Sequence, residues 1–333
     1  STIRANLELG DAGLRAASMQ ALLRLGLEQA LSLEELIQDA GSADPRLRKV
    51  AASALAGRSE PGAVRRLSQA LGDEDRSVRT QVQAELIALG EVGFQAARPL
   101  CDDPRLTTAQ AALEVITQAS RRKAKQILVE LYQSRVREAW ESRLSWEACE
   151  EAGGEDVVFL KAALRNAEAR NRHLAFKVLE AWENKAVVRS LSRVLERASE
   201  RMRGDALEVL SNLGLRPVSS QFSLLLEGVP RGTALPALQG FVGFSLELDD
   251  VIARTRDSPD PWLRMAASAL SRANADDVVA IQDTRTVEEE RELMERLLAL
   301  QQVSIFSRLS LEQLQRIDGL MCEAHFLATD VVV

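Results

Sequence analysis

Histidine, cysteine and aromatic residues are scarce in this chain, and each shortage removes a class of function. The two histidines among 333 residues, His173 and His325, lie far apart with no His or Cys at ligand spacing, so neither nucleates a metal or catalytic site. Three cysteines, Cys101, Cys149 and Cys322, are odd in number and widely spaced. They argue against a disulfide framework or a zinc site and fit a reducing, cytoplasmic setting. HExxH, GxSxG, P-loop and GxGxxG motifs are all missing. No apolar run reaches the roughly 18 residues that a membrane span needs. The nearest, Ala234 to Leu248, is broken by Pro236, Gly240 and Gly243 and reads as a buried helix or helix pair. No signal peptide is present, and the chain opens at Ser1 rather than Met, as a piece of a longer protein would. A net charge of −7, from 42 basic and 49 acidic residues, gives no global attraction to nucleic acid or anionic membrane. No cofactor, catalytic residue or metal ligand is expected.

What the chain does contain is Ala, Leu and a period. Apolar residues make up 46% but aromatics only 4%, which suits thin, closely packed helices. An Asp, two or three variable residues, an apolar residue and an Arg recur as Asp11 to Arg15, Asp44 to Arg48, Asp75 to Arg79 and Asp260 to Arg264. With Arg172 and Arg203 added, the Arg marks stand 33, 31, 93, 31 and 61 residues apart, the large gaps being near-multiples of the small ones. Degenerate units are expected at Asp103-Pro104-Arg105-Leu106, at Ser142-Arg143-Leu144 and near Thr233. That predicts about nine units of 28 to 36 residues. A repeat of this length stacks units that share one continuous core.

Glycines give an independent register. Gly26, Gly90 and Gly214 follow their Arg by 11 residues, and Gly57 and Gly153 by 9 and 10, each where a helix closes in the left-handed conformation. Between Arg and Gly, steps of three and four, as in Leu47, Val50, Ala51, Ala54 and Leu55, make one apolar stripe. A second amphipathic segment precedes the next Asp, as at Leu33 to Ala40, Val64 to Leu71, Phe94 to Leu100, Val157 to Ala167, Val187 to Leu195 and Ser220 to Leu226. Each unit is thus a helical hairpin. Asp44, Asp75, Asp103 and Asp260 occupy N-cap positions, Pro45, Pro104 and Pro261 follow at N1, and the Arg can reach back to its Asp across one turn. Ala pairs such as Ala51-Ala52 and Ala266-Ala267 let neighbouring helices approach closely.

With these residues in hand, the chain resembles the HEAT-repeat family, in its short bacterial HEAT-like form, over roughly residues 1–285. The likeness is strongest at 44–57, 75–90 and 260–273, and the stretches 121–170 and 216–256 depart from it. It implies an all-α fold, an α-α superhelix whose second helices line the concave side. It also implies that Asp44, Arg48, Asp75, Arg79, Asp260 and Arg264 are structural ladder residues.

The end of the chain abandons the period. Residues 286–302 are expected to form a connecting helix, with Glu288-Glu289-Glu290 at its start. In 303–333, Ser310 begins a capping box with Gln313, and a strand is expected at Phe326 to Val333. The run Phe306-Ser307-Arg308-Leu309-Ser310-Leu311-Glu312-Gln313-Leu314 resembles the opening of a cyclic-nucleotide-binding domain of the catabolite-activator type. Phe326 also matches, whereas Thr329-Asp330 replaces that family's usual Gly-Glu pair. The domain's phosphate-binding cassette is not in this chain, so no cyclic nucleotide should bind here, and 326–333 would be free to self-associate as a strand edge.

Two further constellations carry charge or rings. Trp140, Trp146, Trp182 and Trp262 lie among Arg137, Arg143, Arg170, Arg172, Lys177 and Arg189, a mixture that HEAT-like alkylpurine DNA glycosylases also use. Interleaved glutamates and the acidic net charge favour core packing for these rings. The other is Arg121-Arg122-Lys123-Ala124-Lys125, a solvated helix face or inter-repeat turn, or else a docking patch for an acidic partner or phosphate. The expectation is a non-enzymatic scaffold that binds protein partners or another domain of the same polypeptide, with no nucleic acid and no membrane insertion. It would be cytoplasmic, or the cytosolic part of a membrane-associated bacterial protein, coupled to a cyclic-nucleotide-binding domain or a membrane transporter. The competing expectation is a HEAT-like enzyme, a DNA glycosylase or a phycobilisome-type lyase.

Overall fold

The structure, a computed structural model, describes residues 11–58, 60–153, 157–197, 199–243, 245–273 and 281–321. Among the described residues the fold is all-α, with 17 α-helices, three short 3₁₀ turns and a single isolated bridge between Gln239 and Val242. None of these helices is long and apolar enough to cross a membrane. The chain divides into two compact units, the first from Ser1–Val136 and Arg172–Gly228, the second from Arg137–Asn171 and Val229–Val333.

The first unit opens with α1 (Ala12–Arg24), α2 (Leu33–Asp39), α3 (Pro45–Ala56), α4 (Pro61–Gln69), α5 (Arg76–Ala88), α6 (Glu91–Ala97) and α7 (Leu106–Ala119). Helices α1, α3, α5 and α7 stack in one row, α2, α4 and α6 in a second, and hairpin contacts tie the rows together. The expected apolar stripe is the seam between them: Leu47, Ala51, Ala54 and Leu55 are all no more than 3% exposed. Ala51 and Ala52 are small enough to let α3 lie closely against its neighbours, and burying each leucine of the seam contributes ~1.5–3 kcal/mol.

Local chemistry sets the helix ends. Asp11, Asp44 and Asp75 are N-caps whose carboxylates accept from backbone N–H groups of the first turn. Ser32 and Glu35 form a reciprocal capping box at α2. Gly90 ends α5 at φ +56°, and the other register glycines Gly26, Gly153 and Gly214 share the left-handed region. Gly57 does not; it closes α3 right-handed at φ −74°. Asp103 is also displaced from its expected place. It accepts from Arg105 N in the turn before α7, whose N-cap is Arg105 itself.

Two expected unit boundaries are absent. Ser142-Arg143-Leu144 falls inside α8 (Arg121–Ala152), a continuous helix of 32 residues, and Arg172 falls inside α9 (Val158–Trp182), of 25 residues. The segment expected at Val157 to Ala167 is only the start of α9. Both helices contribute to both units. The first unit is completed by α10 (Lys185–Arg197), α11 (Glu200–Ser211) and α12 (Arg216–Glu227), packed in succession. Tyr132 is fully buried there, edge-on to Trp182 at 6.3 Å and to Phe222 at 6.1 Å between centroids. Ser219 Oγ donates to Leu213 O at 2.6 Å, which leaves it to accept from the Tyr132 hydroxyl at 3.0 Å.

The second unit contains α13 (Arg231–Ala237), α14 (Leu248–Arg256), α15 (Pro261–Ala273), α16 (Ile281–Gln302) and α17 (Leu311–Asp318) around Cys149, Leu160, Leu164, Val251, Trp262 and Leu297. Of the apolar stretch Ala234 to Leu248, the described residues are helical only at the two ends, where α13 closes one residue after Pro236 and α14 begins at Leu248. The capping box of Ser310 and Gln313 is present. Leu311 and Leu314 are buried in the unit's core, with Phe306 and Leu309 packed against it. Leu311 N donates to Asn166 Oδ1 at 3.2 Å. The strand expected at 326–333 lies outside the described residues, as do Cys322 and His325.

Candidate functional site

The repeated Arg does not pair with the Asp of its own helix. Arg48 instead grips Asp73 of the following loop through two bonds, Nε to Oδ2 at 2.8 Å and Nη2 to Oδ1 at 2.9 Å. Its Nη1 donates to the carbonyls of Ser42 and Ala43 at 2.9 and 3.0 Å. Both side chains are almost fully buried, 9% and 8% exposed. Arg79 braces the carbonyls of Asp73 and Glu74, and Arg264 that of Ser258. Arg15 makes a similar contact with Asp39, the last residue of α2, at 2.7 Å. The hydrogen bonds they donate to Asp39 and Asp73 hold the Arg15 and Arg48 guanidiniums above their ordinary pKa against the opposing cost of burial. The expected intrahelical pair fails for a geometric reason. Helical side chains lean towards the N-terminus, and there the cap carboxylate is already taken by amides while loop carbonyls stand open.

Three aspartates at or just after the ends of second-row helices are therefore the acceptors that the repeated phrase does not contain: Asp39, Asp73 and Asp102, the last bonded by Arg135 of α8. A sequence signal existed, since Asp39 and Asp73 lie 24 and 25 residues after Arg15 and Arg48. Asp75 accepts from both the hydroxyl and the N–H of Ser77, and these bonds hold its carboxyl below the ordinary value of 3.8. Asp260 accepts from Trp262 N at 2.9 Å and from Arg170 Nη1 at 2.7 Å, within the second unit.

Side chains that project between these braces form open grooves. One, of about 520 Å³, lies between α3 and α5 and is lined by Lys49, Asp75, Arg76, Ser77, Thr80 and Gln81. Its charge is mixed. Along the same row Ser53 donates to Glu85 at 2.8 Å, and Gln83 to Glu114 at 2.9 Å, so polar contacts link successive helices. A second groove of about 520 Å³ is lined by Thr117, Ala124, Lys125, Leu128, Ala181, Trp182 and Glu183. It brings one member of the basic run, Lys125, beside Trp182. Lys123 points elsewhere, bonding Glu91 at 2.6 Å. The side chains of Arg121 and Arg122 lie outside the described residues.

The remaining chemistry-bearing residues do not converge. Trp140 and Trp262 are core residues, 1% and 6% exposed. Trp146 sits under the guanidiniums of Arg143 and Arg165, 4.7 and 4.5 Å from its centroid. Trp182 belongs to the first unit and the other three to the second. His173 is at the surface, its Nε2 2.6 Å from Gln110 Nε2. Burial pushes the Cys101 thiol up to about 12 and that of Cys149 to about 11, so neither forms a thiolate nucleophile. The Glu141 carboxyl is raised by burial and faces Arg137, Glu138 and Arg254. Among the described residues no group of three or more His, Cys, Asp or Glu could hold a metal ion.

No curated protein matches the chain. Residues 33–117, which run from α2 through most of α7, match the family model of HEAT repeats. By that match and by the stacked hairpins it covers, this part of the chain is similar to HEAT repeats.

Proposed function

We propose that the chain is a non-enzymatic interaction scaffold and that its working face is the exposed row of α1, α3, α5 and α7. The observation that carries this reading is the division of labour in that row. The strongly bonded residues, Arg48, Asp73 and Arg79, are spent on holding hairpins together. The side chains that line the groove, Lys49, Asp75, Arg76, Thr80 and Gln81, are polar and of mixed charge. A surface of that kind suits a protein partner, whereas a DNA glycosylase needs a continuous positive groove. Proteins of the family that the chain resembles use the equivalent row as their concave side. Neither enzyme reading gains an observation in its favour.

The regulatory version of this proposal joins the scaffold to a cyclic-nucleotide-binding-like domain or a transporter of the same polypeptide, in a bacterial cytoplasm. Its support is the motif from Phe306 to Leu314 alone. The test of the scaffold reading is affinity isolation from the native source with wild type and with Arg76→Glu. A partner retained by wild type and lost by Arg76→Glu, with unchanged circular dichroism, supports the row as the binding face. Equal retention by both refutes it.

A further inference from the structure

One face of α1 is bare where its copies along the row are covered. Leu14, three residues after the cap Asp11, is 38% exposed, whereas Leu47 and Val78, three residues after Asp44 and Asp75, are 3% and 0% exposed. Leu25, at the far end of α1, is 62% exposed. Ala17 and Ala21 lie between them, and steps of three and four put all four residues on one stripe of the helix. The row shows what belongs against this stripe. Ala21, Ala54 and Glu85 each stand ten residues after their cap; Ala54 is fully buried, and Glu85 accepts from Ser53 of α3. That position therefore faces the preceding helix of the row. The other flank of α1, where Ala16 and Met19 are buried, is the one that α3 covers.

A helix laid on the stripe would continue the interface that already joins α1 to α3, α3 to α5 and α5 to α7. The stripe is self-complementary. Its order Leu, Ala, Ala, Leu reads nearly the same in both directions, so an antiparallel second α1 sets Leu14 of one copy opposite Leu25 of the other and brings Ala17 beside Ala21. Small residues in the middle let the two axes approach closely, and the leucines fill the space at either end. We propose that α1 is a two-fold contact on which a second copy of this chain stacks its own α1. Such a contact is isologous and closes on itself as a dimer. Leu27 and Ile37, 51% and 37% exposed in the same hairpin, add to the apolar surface at this end of the row. With one helix pair at its centre the interface is small for a specific complex, so the dissociation constant should be on the order of 10 μM. The groove of the scaffold reading lies between α3 and α5 and shares no residue with this stripe.

Sedimentation equilibrium of the full chain over about 1 to 200 μM, a range that brackets this constant, is the test. Wild type should pass from monomer to dimer as the concentration rises. Ala17→Arg puts a long charged side chain at the centre of the stripe and keeps a good helix former, so it should weaken the dimer by at least about tenfold with unchanged circular dichroism. Leu14→Gln/Leu25→Gln, which removes the apolar ends instead, should do the same. Arg76→Glu, in the groove between α3 and α5, should dimerise as wild type does. A chain that stays monomeric throughout, as it would if its own residues 1–10 or the helix of a different protein occupied the stripe, overturns the proposal. So does a dimer that persists in both stripe variants or is lost in Arg76→Glu, and so does association that runs on beyond the dimer. Because Arg76→Glu tests the row separately, the two-fold contact and the scaffold reading can fail independently.

Discussion

Arg48 and Asp73 show how the repeated phrase works at the scale of single residues. Each is almost wholly buried, and each satisfies the other's charge through two parallel bonds. Arg48→Met therefore leaves a buried, unpaired carboxylate, and urea unfolding should register a loss of ~3–5 kcal/mol. Adding Asp73→Leu removes the stranded charge and should recover most of that loss. A double variant as unstable as the single one would place the cost in packing rather than in the ion pair. Asp75 carries the pH dependence. Its folded carboxyl titrates below the ordinary 3.8 because Ser77 and Val78 bond the ionised form. The capping contribution is thus present above that value and is lost as pH falls through the folded pKa. The difference in stability between wild type and Asp75→Ala should shrink as the pH is lowered below 3.8; a constant difference would contradict the cap.

At the scale of elements, the approach of α6 to α5 depends on one missing side chain. A Cβ on Gly93 would stand 1.8 Å from the carbonyl oxygen of Leu86, on backbone that has no room to yield. Gly93→Ala should lower stability by ~3 kcal/mol, the upper end of the usual range for overpacking. Gly204, inside α11 with open space around it, is the matched control. Gly204→Ala should stabilise by ~1 kcal/mol through helix propensity. Thermal unfolding of both variants checks the pair, and a neutral Gly93→Ala would disprove the close approach. Most of this architecture was legible in the sequence, because cap aspartates and left-handed glycines are local signals tied to helix ends. The long helices were not. Arg143 and Arg172 fit the period by spacing, but neither is preceded by a cap or a chain-breaking residue, and no Gly or Pro occurs between Arg121 and Ala152 or between Val158 and Trp182. Read as a positive signal, that absence marks uninterrupted helix. The acceptors Asp39 and Asp73 are not legible for another reason: a partner in the next hairpin is set by stacking, which a motif confined to one helix does not express.

For the whole molecule, the proposed function rests on what the repeat leaves over. In α1 to α7 each helix touches its own hairpin partner and the adjacent members of its row, so stability there is local and roughly a sum of neighbouring interfaces. Hydrogen exchange in Arg48→Met should rise in α2 to α5 and remain near wild type in α11 and α12, whereas a uniform rise would mean global rather than local loosening. The candidate binding residues were only partly visible beforehand. The basic run is evident in the sequence, but the placing of its Lys125 beside Trp182 depends on α9 returning beside the start of α8, which no short motif encodes.

The most direct test of the account sets Arg48→Met and Arg76→Glu side by side, measuring for each the thermal midpoint and the binding of the isolated native partner. The account predicts that Arg48→Met lowers the midpoint but leaves binding by the folded protein intact. Arg76→Glu should leave the midpoint unchanged and abolish binding. Loss of binding in folded Arg48→Met, or full binding by Arg76→Glu, would contradict the assignment of the phrase to stability and of the row between its copies to recognition.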